Sequence, residues 1–127
     1  MSYAVLDEAV PSEAAAILST AGSRVEPFPP GWRSFSDSEV LTHAERAGFR
    51  WLVTCDKKMP YQQNLRGRRI AVLVLPSQRL PVLEALAVPV SHVLSVPVPG
   101  HFVILNDEGK SDGGPTPHIP GKKRLEQ

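Results

Sequence analysis

Asp7, Glu8, Asp37 and Asp56 are the residues of this chain whose types and spacing could do chemistry. Asp7 and Asp56 each follow a short apolar run, Tyr3 to Leu6 and Trp51 to Cys55, of the kind that forms buried strands. If those strands are parallel neighbours, both carboxylates stand at the carboxyl edge of one sheet, where open α/β folds place their sites. Carboxylates gathered there repel one another, and a hard divalent cation bound through oxygen relieves the repulsion. Metal-assisted phosphoryl chemistry is what such a cluster suggests.

Each acid also has a plainer reading. Ser36 and Glu39 match a capping box, in which their side chains satisfy the first amides of a helix. Asp37 would then only favour the positive end of that helix, worth roughly 0.3–1 kcal/mol. The same placement puts Asp37 beside the sheet edge if the helix packs there, and the two roles are compatible. Asp7 ends its strand directly and is the better ligand of the Asp7-Glu8 pair. Glu8 could act through water or pair with a base such as Lys57. Asp56 is followed by Lys57 and Lys58, which could neutralise it or steady a substrate phosphate. Thiol catalysis at Cys55 would need a base and an orienting partner, but His43 lies on the polar side of its helix and the other histidines come late in the chain, so Cys55 reads as an inert strand-end thiol. The four histidines show no metal-ligand spacing. Tyr61, Gln62, Gln63 and Asn64 could contact a base or sugar, or form a polar loop around a packed tyrosine. Trp51 reads as core, and Trp32 as the more exposed tryptophan, which could cover the site or a partner.

Charge is distributed unevenly although the net is only +1. Up to Asp56 acids outnumber bases, whereas Lys57, Lys58, Arg66, Arg68, Arg69 and Arg79 follow with no acid among them. An acidic pole beside a basic segment suits a metal-dependent enzyme acting on a polyanion, but on charge alone a solvated surface loop with chance clustering is the better reading.

The elements that would position these residues alternate. Pro11 to Gly22 reads as a helix, with proline at its start and glycine at its stop. Arg24 to Phe28 reads as a short strand. A Pro-rich loop follows, then a helix opened by Ser36 and closed at Gly48, then the strand beginning at Trp51. Met59 to Leu65 is a short helix or ordered loop. Ile70 to Leu75 is apolar on both faces, as a central parallel strand must be. Ser77 can cap a helix to about Leu86, with a second short helix near Ser91 to Ser95, and His101 to Leu105 forms the last strand. The expected domain is 1–106, an α/β fold with a mostly parallel central sheet flanked by helices. Residues 107–127, rich in Gly, Pro and charge, are expected to be a disordered tail.

With 127 residues, 42% of them hydrophobic, one domain can bury a real core without a staple. The single cysteine excludes an internal disulfide and is compatible with a reducing compartment. The first residues lack the basic region of a signal peptide, and no apolar run is long enough to span a bilayer. The expectation is a cytoplasmic protein without a membrane partner.

Three segments together resemble the small PIN-like proteins of bacteria. They are Leu6-Asp-Glu-Ala-Val-Pro11, Ser36-Asp-Ser-Glu-Val40 and Leu52-Val-Thr-Cys-Asp-Lys57. The family pattern is an opening Leu-Asp-Glu-x-x-Pro, a mid-chain Asp-x-Glu-Val and a Val-Thr-x-Asp-Lys, in that order, and the likeness covers roughly Tyr3 to Leu86. The resemblance implies a three-layer PIN-like fold and, in active members, a ribonuclease dependent on Mg²⁺ or Mn²⁺. Carried over by position, the metal-binding and catalytic acids are Asp7, Asp37 and Asp56, with Glu8 a further candidate. Lys57, Lys58, Arg66, Arg68 and Arg69 would bind the RNA backbone. The wider family contains toxins of toxin–antitoxin pairs, which brings in a small antitoxin as partner, and a homodimer stays open. Relatives often carry a second acid shortly after the lysine, where this chain has Lys58-Met59. That departure leaves a second function open, a PIN-like module that binds a protein or nucleic acid without turnover. A phosphoacceptor receiver-type site is a third reading, weakened because His101 to Leu105 offers no lysine to hold a phosphoryl group.

Overall fold

Short apolar runs separated by proline, glycine and capping residues build a sheet that helices cover on both faces. The computed structural model describes residues 2–114. In chain order the elements are β1 (Ser2–Leu6), α1 (Ala14–Leu18), β2 (Ser23–Glu26), a 3₁₀ turn (Pro30–Trp32), α2 (Asp37–Arg46) and β3 (Trp51–Thr54). There follow α3 (Met59–Gln62), β4 (Ala71–Val74), α4 (Leu80–Ala85), α5 (Ala87–Leu94), β5 (Phe102–Leu105) and β6 (Ser111–Gly114). The strands lie in the order β2-β1-β3-β4-β5-β6, and all adjacent pairs are parallel except β5 with β6. The chain steps outward from β1 to β2, returns across β1 to β3, and then continues to β5. The order therefore reverses between β1 and β3, the position where such sheets open a crevice.

Alternation along the strands sends side chains into two cores. Ala4, Leu6, Trp51, Val53, Ala71 and Leu73 face the layer of α1, α4 and α5, which contributes Leu18, Leu83, Val90 and Leu94. Val5, Leu52, Val72 and Phe102 face the other layer, where α2 contributes Val40, Leu41 and Ala44. All four residues of β3 and all four of β4 are buried, which is why both read as unbroken apolar runs. Among the described residues no helix is long and apolar enough to cross a membrane.

Several boundaries differ from the sequence reading. The helix after Pro11 is only Ala14–Leu18, because Ser19 turns extended and its hydroxyl is drawn to β2. Ser19 Oγ donates to Ala15 O at 2.8 Å and accepts from Val25 N at 3.0 Å. Ser77 does not cap α4. Its Oγ accepts from Arg79 N at 3.0 Å, and the helix begins at Leu80. The second helix starts at Ala87 and not near Ser91, since Pro89 falls in its first turn, where a missing N–H costs little.

The largest correction concerns the expected tail. The chain after residue 106 turns back as a hairpin, and β6 pairs Leu105 with Ser111 and Phe102 with Gly114. Asn106 Oδ1 accepts from the backbone of Glu108 at 2.9 Å and Lys110 at 3.0 Å, and Gly109 takes φ +82° to complete the turn. A Cβ on Gly109 would lie 2.7 Å from Pro89 Cγ, so the hairpin tip rests directly on α5. Asn-Asp-Glu-Gly is turn chemistry that composition alone makes look like disorder. The rest of the expected tail, 115–127, lies outside the described residues.

Candidate functional site

Parity and register bring the first two carboxyl-edge groups together. Val5 and Leu52 face the α2 layer, so Asp7 and Thr54, two residues further along each strand, face it as well. Leu6 pairs with Val53, which puts Asp7 level with Thr54. Thr54 Oγ1 donates to Asp7 Oδ2 at 2.8 Å and accepts from Asp56 N at 3.0 Å. Asp7 N reaches Val53 O at 2.7 Å, which fixes the strand end itself. Asp7 is 8% exposed and Thr54 fully buried, so the pair is a polar plug at the sheet edge. Asp56 is half-buried, and its Oδ1 accepts from Lys58 N at 2.9 Å. Thr54 was not singled out as a site residue from sequence, although the period-two alternation through Leu52 already places it on the face of Asp7.

The third carboxylate comes from the helix packed on that face. Ser36 Oγ accepts from Glu39 N at 3.2 Å while Glu39 Oε1 accepts from Ser36 N at 2.8 Å, completing the capping box. Both caps are made without Asp37, which occupies the first helical position and is half-buried. Burial, and then the negative charges of Asp7 and Asp56, raise the Asp37 pKa above the ordinary aspartate value. Asp7, Asp37 and Asp56 thus share one electrostatic neighbourhood at the β1/β3 crevice.

By donor type alone, carboxylate oxygens are the ligands that a hard divalent ion takes. Among the described residues, no three His, Cys, Asp or Glu side chains stand close enough to hold a metal as they are arranged. Glu8 is exposed and belongs to none of the ion pairs among the described residues. Lys57 and Lys58 are exposed beside Asp56, and Lys57 borders a groove over the ends of β4 and β5. Tyr61, in α3, is 47% exposed close after Asp56 in the chain.

Two of the expected RNA-binding arginines are elsewhere. Arg68 is a brace along α2, with Nη1 2.9 Å from Glu45 Oε1 and 3.2 Å from Thr42 Oγ1. Its other amino group approaches Ser38 O and Oγ, both at 3.4 Å. Arg69 lies just before β4, at the amino edge of the sheet, opposite the acids. Parallel strands have two distinct edges, and a basic run that crosses from α3 into the start of β4 ends at the wrong one. Arg66 is exposed on the loop between α3 and β4.

The remaining chemical candidates are structural. Cys55 Sγ lies 3.3 Å from Ser77 O. Its pKa is pushed up to about 11, mainly by burial and then by Asp7, with Lys57 opposing, so it is a thiol at neutral pH. Trp32 is half-buried, set edge-on to Phe28 and Phe49, and belongs to the core under α2 and not to a cover over the acids. His43 stacks on Phe35 with ring centroids 4.3 Å apart. Comparison of the chain with protein-family models, with curated proteins and with solved structures gives no match.

Proposed function

We propose that this protein is a metal-dependent endoribonuclease of PIN-like type, cleaving RNA phosphodiester bonds at Asp7, Asp37 and Asp56. One observation carries the reading. Three carboxylates, from β1, α2 and the end of β3, lie around the point where strand order reverses, and burial followed by the charges of Asp7 and Asp56 raises the pKa of Asp37. Mg²⁺ or Mn²⁺, held by these three, would lower the pKa of water and offset charge on the scissile phosphate. Thr54 holds Asp7 through Oδ2, and the Lys58 amide orients Asp56. Lys57 and Lys58 supply positive charge beside Asp56 for the phosphate backbone. In this reading the protein works in the cytoplasm, and a small antitoxin is the partner to look for.

A second reading, a PIN-like module that binds without turnover, draws on the absence of a closely spaced ligand trio among the described residues. One experiment separates the two. Mg²⁺ or Mn²⁺ should raise the melting temperature by mass action, because the unfolded chain has no site. Asp56→Asn should remove that shift and RNA cleavage together. Unaltered melting with either cation, plus full cleavage by Asp56→Asn, would sink the proposal. Metal-dependent melting without cleavage of varied RNAs would replace the enzyme with the binding module.

A further inference from the structure

The amino edge of the sheet, opposite the acids, carries a cationic cleft that the proposed nuclease does not use. It begins where α2 stops. Gly48 adopts φ +90°, Phe49 N donates to Ala44 O at 3.0 Å, and Gly48 N donates to Glu45 O at 3.1 Å. These bonds close the last carbonyls of α2, so fewer free backbone acceptors face the space beyond it. The turn delivers Arg50 to the start of β3, next to the residues that lead into β4. Arg46, Gly48, Phe49, Arg50 and Arg69 line a cleft of about 520 Å³, with Glu45 at its side.

The charges in this cleft do not balance. Arg46, Arg50 and Arg69 are all exposed, and none belongs to an ion pair among the described residues. Glu45 is the carboxylate of the lining, and it is already engaged. Its Oε1 is held by Arg68, and its Oε2 accepts from the backbone N–H groups of Arg69 and Ile70. Three exposed arginines therefore line one space in which, among the described residues, the one carboxylate of the lining is already engaged. The backbone beneath them is pinned. Arg50 N donates to Tyr3 O at 2.7 Å, and Ala71 N donates to Arg50 O at 3.0 Å. An incoming ligand would order only side-chain torsions, which lowers the entropic cost of binding.

We infer that this cleft is a phosphate-binding site, taking either the backbone of a nucleic-acid strand or a free polyphosphate. The guanidinium fork matches phosphate oxygens two at a time, and three forks around a cleft of ligand size suit a ligand with several phosphates. The site is separate from Asp7, Asp37 and Asp56, so its occupancy does not depend on the nuclease reading.

The test is fluorescence anisotropy of a labelled single-stranded RNA oligonucleotide across a salt series, in an Asp56→Asn background so that cleavage does not intervene. The combined variant Arg46→Gln, Arg50→Gln and Arg69→Gln should bind more weakly. Its log K against log salt should be shallower by about 2, three contacts at roughly 0.7 each. Folding should survive, since the anchoring bonds at Arg50 and Arg69 come from the backbone. Arg33→Gln, Arg79→Gln and Lys110→Gln together remove the same charge from residues outside the cleft lining and should leave the slope close to that of the parent. Equal losses in the two triple variants would mean net charge alone and overturn the site. A competition on unaltered side chains in the cleft tests it without relying on a variant. Displacement of the RNA by tripolyphosphate identifies a free polyphosphate as a ligand. Displacement by unlabelled oligonucleotide alone identifies the phosphodiester backbone. Polyglutamate of equal charge displacing the RNA as well as either would overturn the phosphate assignment.

Discussion

Asp37 carries the most testable electrostatics of any single residue in the chain. Its folded-state pKa is raised, first by burial and then by Asp7 and Asp56, so the native state holds this proton more tightly than the unfolded chain does. In the window from the ordinary aspartate pKa up to the raised one, the unfolded state binds fewer protons, and stability falls as pH rises. Without divalent metal, Asp37→Asn should therefore melt higher than the parent at neutral pH, and the difference should vanish below the ordinary aspartate range. Thermal melts of both proteins across that range check the claim, and a gain that persists unchanged at acid pH would refute it. The acids themselves were legible in the sequence because each terminates or opens an element, a position that apolar runs and a capping box mark. Thr54 was not. Its hydroxyl matters only through the register that sets Leu6 against Val53, and register is a property of two strands. Arg68 misled for a similar reason, since a run of basic residues does not say that one of them has a carboxylate waiting on α2.

Among the elements, α2 matters most, because it alone brings Asp37 to the crevice. Its two ends are secured by different means. The N-terminus is held by Ser36 and Glu39, and the C-terminal half by Glu45, which ties the helix to the segment leading into β4. Glu45→Gln keeps the size but removes the charge and turns one of the two acceptor oxygens into a donor, breaking at least one of three hydrogen bonds, so unfolding in urea should show a loss of about 1–3 kcal/mol. Loss near zero would mean the tie is incidental. The capping box was legible as Ser-x-x-Glu, and the buried strands as apolar runs. The end of α1 was not, because Ser19 leaves the helix for a partner on β2. The final hairpin was missed because its turn residues are also the residues of disordered tails, and pairing with β5 and the contact of Gly109 with Pro89 on α5 decide between them.

For the molecule as a whole, strand direction has a mechanical consequence. β1 begins at the amino edge of the sheet, and β6, running antiparallel to β5, returns the chain to that same edge by residue 114. A pull between residues 2 and 114 thus acts across the strands rather than along them. It opens the β5–β6 hydrogen bonds one after another, starting at the Phe102–Gly114 rung. A pull between residue 2 and Asn106, at the other edge, instead has a component along the strands and loads several β1–β3 bonds at once. In an optical trap the first geometry should yield at clearly lower force than the second, with an early extension equal to the release of β6. Equal rupture forces in the two geometries would show that the return of β6 has no bearing on how the sheet resists being drawn apart. Toughness in this protein is then directional, and the easy direction runs through its last strand.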